Sequence, residues 1–329
     1  MVVVGAAILP HGAMVFDGDP NSASPACRER NISMPADLIG NCSKLYNSCE
    51  RVGDRVAKMN PDVVLLVTPH GIALSSGSYG VYMANAARGN ALWNDCFQDI
   101  ELSIPLDTEI SKTLLGFVQE KGFKADGIIT FSLAEAPLRW GEVIPLWFVN
   151  KKVDSDKVKY VIVTFARIYD EEGFNARAMG RALHEFASSL QQRVAVVISG
   201  DLAHTHTTEY SIPLYLPDPR WDLKPTGIAE EFDRACELWA RGIPFSEVIK
   251  VGSAAFEETH PWVASHCAQW LQKVIEDDPV AKSCGRKGFQ ILHGILEKQI
   301  DDGGSVTSHF FTRHAPTYYG MMTVVFEVN

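Results

Sequence analysis

The apolar positions of this chain follow two spacings. Short continuous or β-branched runs predict strands over Val2–Leu9, Val63–Thr68, Tyr79–Met83, Ile100–Ile104, Val143–Val149, Val158–Phe165 and Val194–Ser199. Apolar residues recurring every three or four positions predict helices over Leu45–Met59, Glu109–Lys121, Asn175–Gln191, Gly227–Arg241, Phe245–Val251, Val263–Glu276 and Cys284–Gln299. The closing GMMTVVFEV reads as one more strand. Together these predict an α/β fold in which one large domain spans 1–329. A central mixed, mainly parallel sheet is flanked by helices, and the C-terminal portion is helical. No internal repeat or low-complexity linker divides the chain.

Two of the predicted strands end in the same tripeptide. Val2–Leu9 runs into Pro10-His11-Gly12, and Val63–Thr68 runs into Pro69-His70-Gly71. With the Leu45–Met59 helix between them they form a βαβ unit, and both imidazoles fall at the carboxyl edge of the sheet, where ligands of open α/β folds collect. For one such histidine the plainer reading is a hydrogen bond to a loop. Two in one unit favour a shared task, since neutral imidazoles are common ligands of iron and zinc and leave room for an anionic ligand, a substrate and oxygen. The stretch 12–37, rich in Gly, Pro, Asn, Ser and Asp, reads as a long irregular loop, and such loops are commonly functional. Its Asp17 and Asp19 read as turn residues, with a place in the site as the alternative.

A third element, VVISGDLAHTH over 196–206, also follows an apolar run. If the residues after Gly200 are helical, Asp201 and His204 share a face and the carboxylate can orient the imidazole; His206 lies on another face. The plainer reading makes Asp201 a helix cap. A fourth, SCGRKGFQILHG over 283–294, places Cys284 at a helix start, where the backbone dipole favours a thiolate; alternatively it is a small buried residue. Between them, 254–278 reads as a helical insertion containing Glu257, Glu258, His260, His266 and Cys267. Glu257 or Glu258 is chemically able to complete a metal site, while the plainer reading is an amphipathic helix packing Trp262, Val263 and Trp270.

Composition narrows the partners. The 329 residues carry a formal charge of -10, which argues against a nucleic-acid or anionic-membrane surface. Seven cysteines at irregular spacing, with no CxxC pair, predict reduced thiols and a cytoplasmic protein. The apolar N-terminus lacks the basic region of a signal peptide, and no run is long enough to span a membrane.

The ordered pieces ILPHG, PDVVLLVTPHG, GEVIPLWF, SGDLAH, EEFDRACELWARG, SCGRKGFQILHG and PTYYGM resemble the LigB superfamily, which holds the class III extradiol ring-cleaving dioxygenases and the Memo proteins. The resemblance spans nearly the whole chain. It implies a non-haem Fe(II) site, with zinc or another divalent metal as the alternative, held by His11 and His70. His204 then matches the acid–base histidine, with Asp201 beside it, and the substrates are O2 and a small catechol-like or aminophenol-like aromatic. A homo-oligomer, with room for a second subunit, is also implied. Two departures stand out. The glutamate ligand of the ring-cleaving enzymes falls at Gln290 by counting, whereas Cys284 stands where Memo-like members place a cysteine ligand. Trp140 replaces a substrate-lining histidine. The alternatives are therefore a Memo-like metal-binding protein or a non-catalytic dioxygenase subunit, neither of which cleaves rings.

Overall fold

The computed structural model describes residues 3–19, 21, 34–93, 96–132, 134–165, 175–205, 225–245 and 257–329. Its strands are β1 (Val3–Leu9), β2 (Val63–Thr68), β3 (Tyr79–Tyr82), β4 (Ala86–Asn90), β5 (Glu101–Pro105), β6 (Ala125–Ile128), β7 (Ala136–Leu138), β8 (Lys159–Thr164), β9 (Val194–Ser199), β10 (Glu258–Pro261), β11 (Val306–His314) and β12 (Met321–Val328). Its helices are α1 (Ala36–Lys58), α2 (Thr108–Glu120), α3 (Trp140–Asn150), α4 (Ala176–Ser189), α5 (Gly227–Ala240), α6 (Ala264–Ala281) and α7 (Arg286–Asp301).

Nine strands form one mixed sheet in the order β10-β11-β12-β1-β9-β2-β8-β3-β6, and β5-β4-β7 form a small second sheet. The centre, β1-β9-β2-β8, is parallel, while β12, β11 and β10 continue antiparallel on one side and β3 joins β8 antiparallel on the other. Every residue of β2 and β9 is buried, which explains their unbroken apolar runs. Alternate residues serve opposite layers: Val63, Leu65 and Val67 pack with Leu183, Phe232 and Phe289, whereas Val64 and Leu66 pack with Val52, Ile144 and Phe148.

β1 and β2 are not neighbours. β9 lies between them, so three carboxyl ends, those of β1, β9 and β2, open side by side.

Several expectations change. Val143–Val149 is not a strand but the body of α3, buried almost all round, so its residues are apolar at every position and periodicity cannot separate the two states. Glu142 begins it by accepting the backbone N–H of Arg139 at 3.0 Å. The helix expected from Leu45 begins at Ala36, within the stretch read as loop, and Ala13–Gly18 forms a 3-10 turn. β4, β6, β7, β10 and β11 were not foreseen, being short or mixed in polarity. The expected helix Phe245–Val251 and residues 254–256 lie outside the described residues, except for Phe245 itself. The thiols are not all reduced: Cys96 is disulfide-bonded, whereas Cys42, Cys49, Cys236, Cys267 and Cys284 carry no disulfide. No described helix is long and apolar enough to cross a membrane.

Candidate metal centre

His11 follows β1, His70 follows β2, and Asp201 and His204 follow β9. Cys284 arrives from the opposite direction, two residues before α7. One ligand atom from each of His11, His70 and Cys284 lies within 4.8 Å of the others, and the same holds for Asp201, His204 and Cys284. Cys284 Sγ joins the two sets, 3.2 Å from His11 Nε2 and 3.8 Å from His204 Nε2.

The His11 imidazole and the His70 backbone are both held from behind. Ser199 Oγ donates to the carbonyl of Gly141 at 2.6 Å, so its lone pair accepts Nδ1–H of His11 at 2.8 Å. The proton of His11 is thereby placed on Nδ1, and Nε2 faces Cys284 as a bare lone pair. Thr68 Oγ1 donates to the same Gly141 carbonyl at 3.2 Å and accepts the backbone N–H of His70 at 3.2 Å. The two rings meet edge to face with centroids 4.5 Å apart.

The glycines of both Pro-His-Gly turns are sites of close approach. A Cβ on Gly12 would lie 2.6 Å from Met321 Cε and 3.0 Å from Asp201 Oδ2; one on Gly71 would lie 2.7 Å from Thr164 Cβ and 3.0 Å from Glu142 Oε1. Glu142 is buried and in turn accepts the hydroxyl of Tyr82 at 2.7 Å, while that oxygen accepts the backbone N–H of Ile72 at 2.8 Å. This strut fixes the chain just beyond His70.

Asp201 holds the first turn directly. Its Oδ1 accepts the backbone N–H groups of His11 at 3.0 Å and Gly12 at 3.3 Å, and Oδ2 stands 3.7 Å from His11 Nε2 and 3.9 Å from His204 Nε2. The segment 201–205 is not helical, so Asp201 and His204 meet without the helical geometry expected, and Asp201 caps no helix. Ala203 N–H is instead held by the buried Asp233 carboxylate at 2.9 Å, and Leu202 and Ala203 exchange backbone bonds with Gly320.

The electrostatics favour neutral ligands. Burial pushes His11 down to about 3, with His204 adding to the effect. His70 is likewise down to about 3, through burial and then the neighbouring His11, against the pull of Asp201. Burial also lowers His204, opposed by Asp201, and raises Asp201. The site thus gathers lone pairs without the protons to bridge them all, which is the condition a cation resolves.

Other expected residues lie elsewhere. Gln290 faces a cavity of about 520 Å³ lined also by Arg177 and Leu271, and its amide nitrogen is buried without a partner. Glu257 and Glu258 belong to ion-pair networks: Glu257 binds Arg51 and Arg55, and Glu258 binds Arg241 and His260. Neither approaches His11, His70 or His204, because β11 and β12 lie between β10 and β1. His266 is exposed and Cys267 is buried as core. Asp19 is a turn residue, accepting Asn21 N–H at 2.9 Å, and Asp17 is buried in the 3-10 turn. His206 lies outside the described residues. Ser199, Glu142, Tyr82 and Tyr319 were missed: Ser199, Glu142 and Tyr319 sat in noted motifs, but each acts through a partner distant in sequence.

Trp140 tilts against His70 at 5.8 Å and packs on Trp93 at 4.9 Å. This makes the wall beside His70 aromatic.

No curated protein matches the chain. Among solved structures, the uncharacterized protein JW3007 from Escherichia coli K12 is similar over 98% of this chain and 99% of its own, at 13% identity and a TM-score of 0.48. The model of one family, the catalytic LigB subunit of aromatic ring-opening dioxygenase, matches residues 5–298, a span that takes in every residue of the His11, His70, Asp201, His204 and Cys284 cluster, and the chain belongs to that family.

Proposed function

We propose that the chain is an Fe(II)-dependent extradiol dioxygenase acting on a catechol-like or aminophenol-like aromatic. The observation that carries this reading is the convergence of His11, His70 and Cys284 donor atoms within 4.8 Å, with a third imidazole, His204, and the Asp201 carboxylate beside them. The donor set suits a divalent metal: His11 presents a lone pair fixed by Ser199, and a thiolate supplies the anionic ligand. When bound, the ion supplies Lewis acidity and the one-electron chemistry that lets dioxygen react with an aromatic ring.

The chain's own residues handle protons and position. His204, neutral at pH 7 and with Nε2 turned toward Cys284, takes the proton of a substrate hydroxyl. Asp201 Oδ2, 3.9 Å away, stabilises the resulting imidazolium until the proton is returned. Trp140 and Trp93 exclude water on the His70 side.

Anaerobically prepared, iron-loaded protein is expected to convert members of a catechol and aminophenol panel to yellow ring-opened products. Retained iron with no product from any of them overturns the proposal. One observation favours a second reading, a Memo-like metal-binding protein without ring cleavage: Cys284, not a carboxylate, completes the donor set, and Gln290 is turned away. Loss of metal in Cys284→Ala with retention in Gln290→Ala is expected under both readings, and turnover of the panel separates them.

A further inference from the structure

Ring contacts extend the site at both ends. Beyond His70 stands Trp140; beyond Cys284 and His204 stands Tyr319, whose ring meets His204 edge to face at 4.7 Å. A ligand held at the His11, His70 and Cys284 donors therefore has Trp140 past one end of that donor set and Tyr319 past the other.

Tyr319 is fixed in place. The next residue, Gly320, donates to the Ala203 carbonyl at 3.0 Å and accepts Leu202 N–H at 2.7 Å, and a Cβ there would overlap Asp233 Oδ2 at 2.0 Å. The backbone of Tyr319 is thus locked to the loop that delivers His204. Tyr318 stacks on Tyr319 with centroids 4.2 Å apart and donates its hydroxyl to the Tyr319 oxygen at 2.8 Å. A phenol that accepts one hydrogen bond keeps its own proton to donate, and the accepted bond polarises it. Burial above all, with the nearby Asp201 and Cys284, holds that proton on.

We propose that Tyr319 contacts the substrate, its hydroxyl donating to an oxygen of an aromatic diol lying between Trp140 and Tyr319, with Tyr318 as the positioning residue. The proposal rests on reading the cleft as an aromatic-diol site. It adds a donor on the His204 side that complements the apolar Trp140 side, and it predicts that the bound diol is recognised through its oxygens as well as its ring.

The test uses zinc-loaded full-length protein, which cannot turn over, and 4-nitrocatechol, whose visible absorbance reports its ionisation. Tyr319→Phe keeps the ring and removes only the donor. It is expected to retain metal and fold, to bind 4-nitrocatechol about tenfold more weakly, in line with the loss of one hydrogen bond to a charged oxygen, and to shift the absorbance of the bound ligand. Tyr318→Phe is expected to lose roughly threefold, because the donor remains but is no longer polarised or held. Wild-type affinity and spectrum in Tyr319→Phe overturn the assignment while leaving the diol site standing. If metal-loaded wild type does not bind 4-nitrocatechol, the diol reading falls and this assignment falls with it. Should Tyr319→Phe fail to fold, Tyr318→Phe carries the test, and a wild-type affinity and spectrum there overturn it.

Discussion

The carbonyl oxygen of Gly141 receives the hydroxyls of both Ser199 and Thr68, and through them it orients the ring of His11 and holds the backbone of His70. Ser199 has the larger chemical consequence, because it decides which nitrogen of His11 carries the proton. In Ser199→Ala the buried Nδ1–H of His11 loses its acceptor, which costs about 1–3 kcal/mol, and nothing then keeps the proton off Nε2. Metal affinity is expected to fall roughly 10- to 100-fold, as for other partners that orient metal-bound imidazoles. Competition against a chelating dye measures it, and unchanged affinity would show that the tautomer is set elsewhere. The histidines were legible because Pro-His-Gly after an apolar run is conspicuous. Ser199 was not, because a serine ending a strand has no distinctive chemistry until a residue 188 positions away leans on it. Where Gln290 points was illegible for a related reason: a helix turns its successive residues to different sides, and this one faces a cavity beside α4 and α6.

At the scale of elements, the position of Cys284 depends on how closely α7 packs. A Cβ on Gly180 would stand 1.9 Å from the Ile291 carbonyl, and one on Gly294 would stand 2.0 Å from the Arg177 carbonyl, so the backbones of α4 and α7 touch. At the near end of α7, Gly288 abuts Ile198 of β9 and Gly285 abuts the Asp201 carbonyl. The helix is thus wedged between α4 and the strand end that carries Asp201. Gly294→Ala should force the helices apart, destabilising the fold by about 1–3 kcal/mol and weakening metal binding through Cys284. Gly40→Ala is the contrast: it lies in α1 with nothing within 4 Å of its would-be Cβ, and should stabilise by roughly 0.5–1 kcal/mol. Urea midpoints that move equally in both variants would refute the packing argument. None of this was visible in the helical periodicity of 284–299, which marks an apolar face but not how near its neighbour comes. The same limit turned α3 into an expected strand, since burial on all sides erases the polar face that separates a 3.6 period from a run of β residues.

For the whole molecule, the buried titratable groups set how stability depends on pH. Burial is the leading cause that lowers His11 and His70 to about 3 and His293 and His314 to about 4. When the chain unfolds, these histidines regain an ordinary affinity for protons near 6.5, so below that pH the unfolded state binds protons that the folded state refuses. Stability from this source is complete above about 6.5 and is lost as pH falls toward 3, by up to about 1.4 kcal/mol per pH unit for each histidine. Glu142 and Asp233 act with the opposite sign. Burial raises both to about 7, so between their ordinary range and 7 the folded state holds the extra proton, and stability drops as pH rises through that window. Between about 4.5 and 6.5 four histidines oppose two carboxyls, and the histidines prevail. Between about 4.5 and 4 Glu142 no longer offsets them and the decline steepens; below about 4 His293 and His314 take up protons in the folded state as well, and it eases. Metal-free protein should therefore show a lower urea midpoint at pH 5 than at pH 7, and a larger step from pH 5 to pH 4. Replacing both opposing carboxyls, in Glu142→Gln with Asp233→Asn, should widen the difference between pH 5 and pH 7 even though the double variant is less stable at each. A midpoint that stays level or rises on acidification to pH 5 would mean that these histidines are not held neutral by the fold.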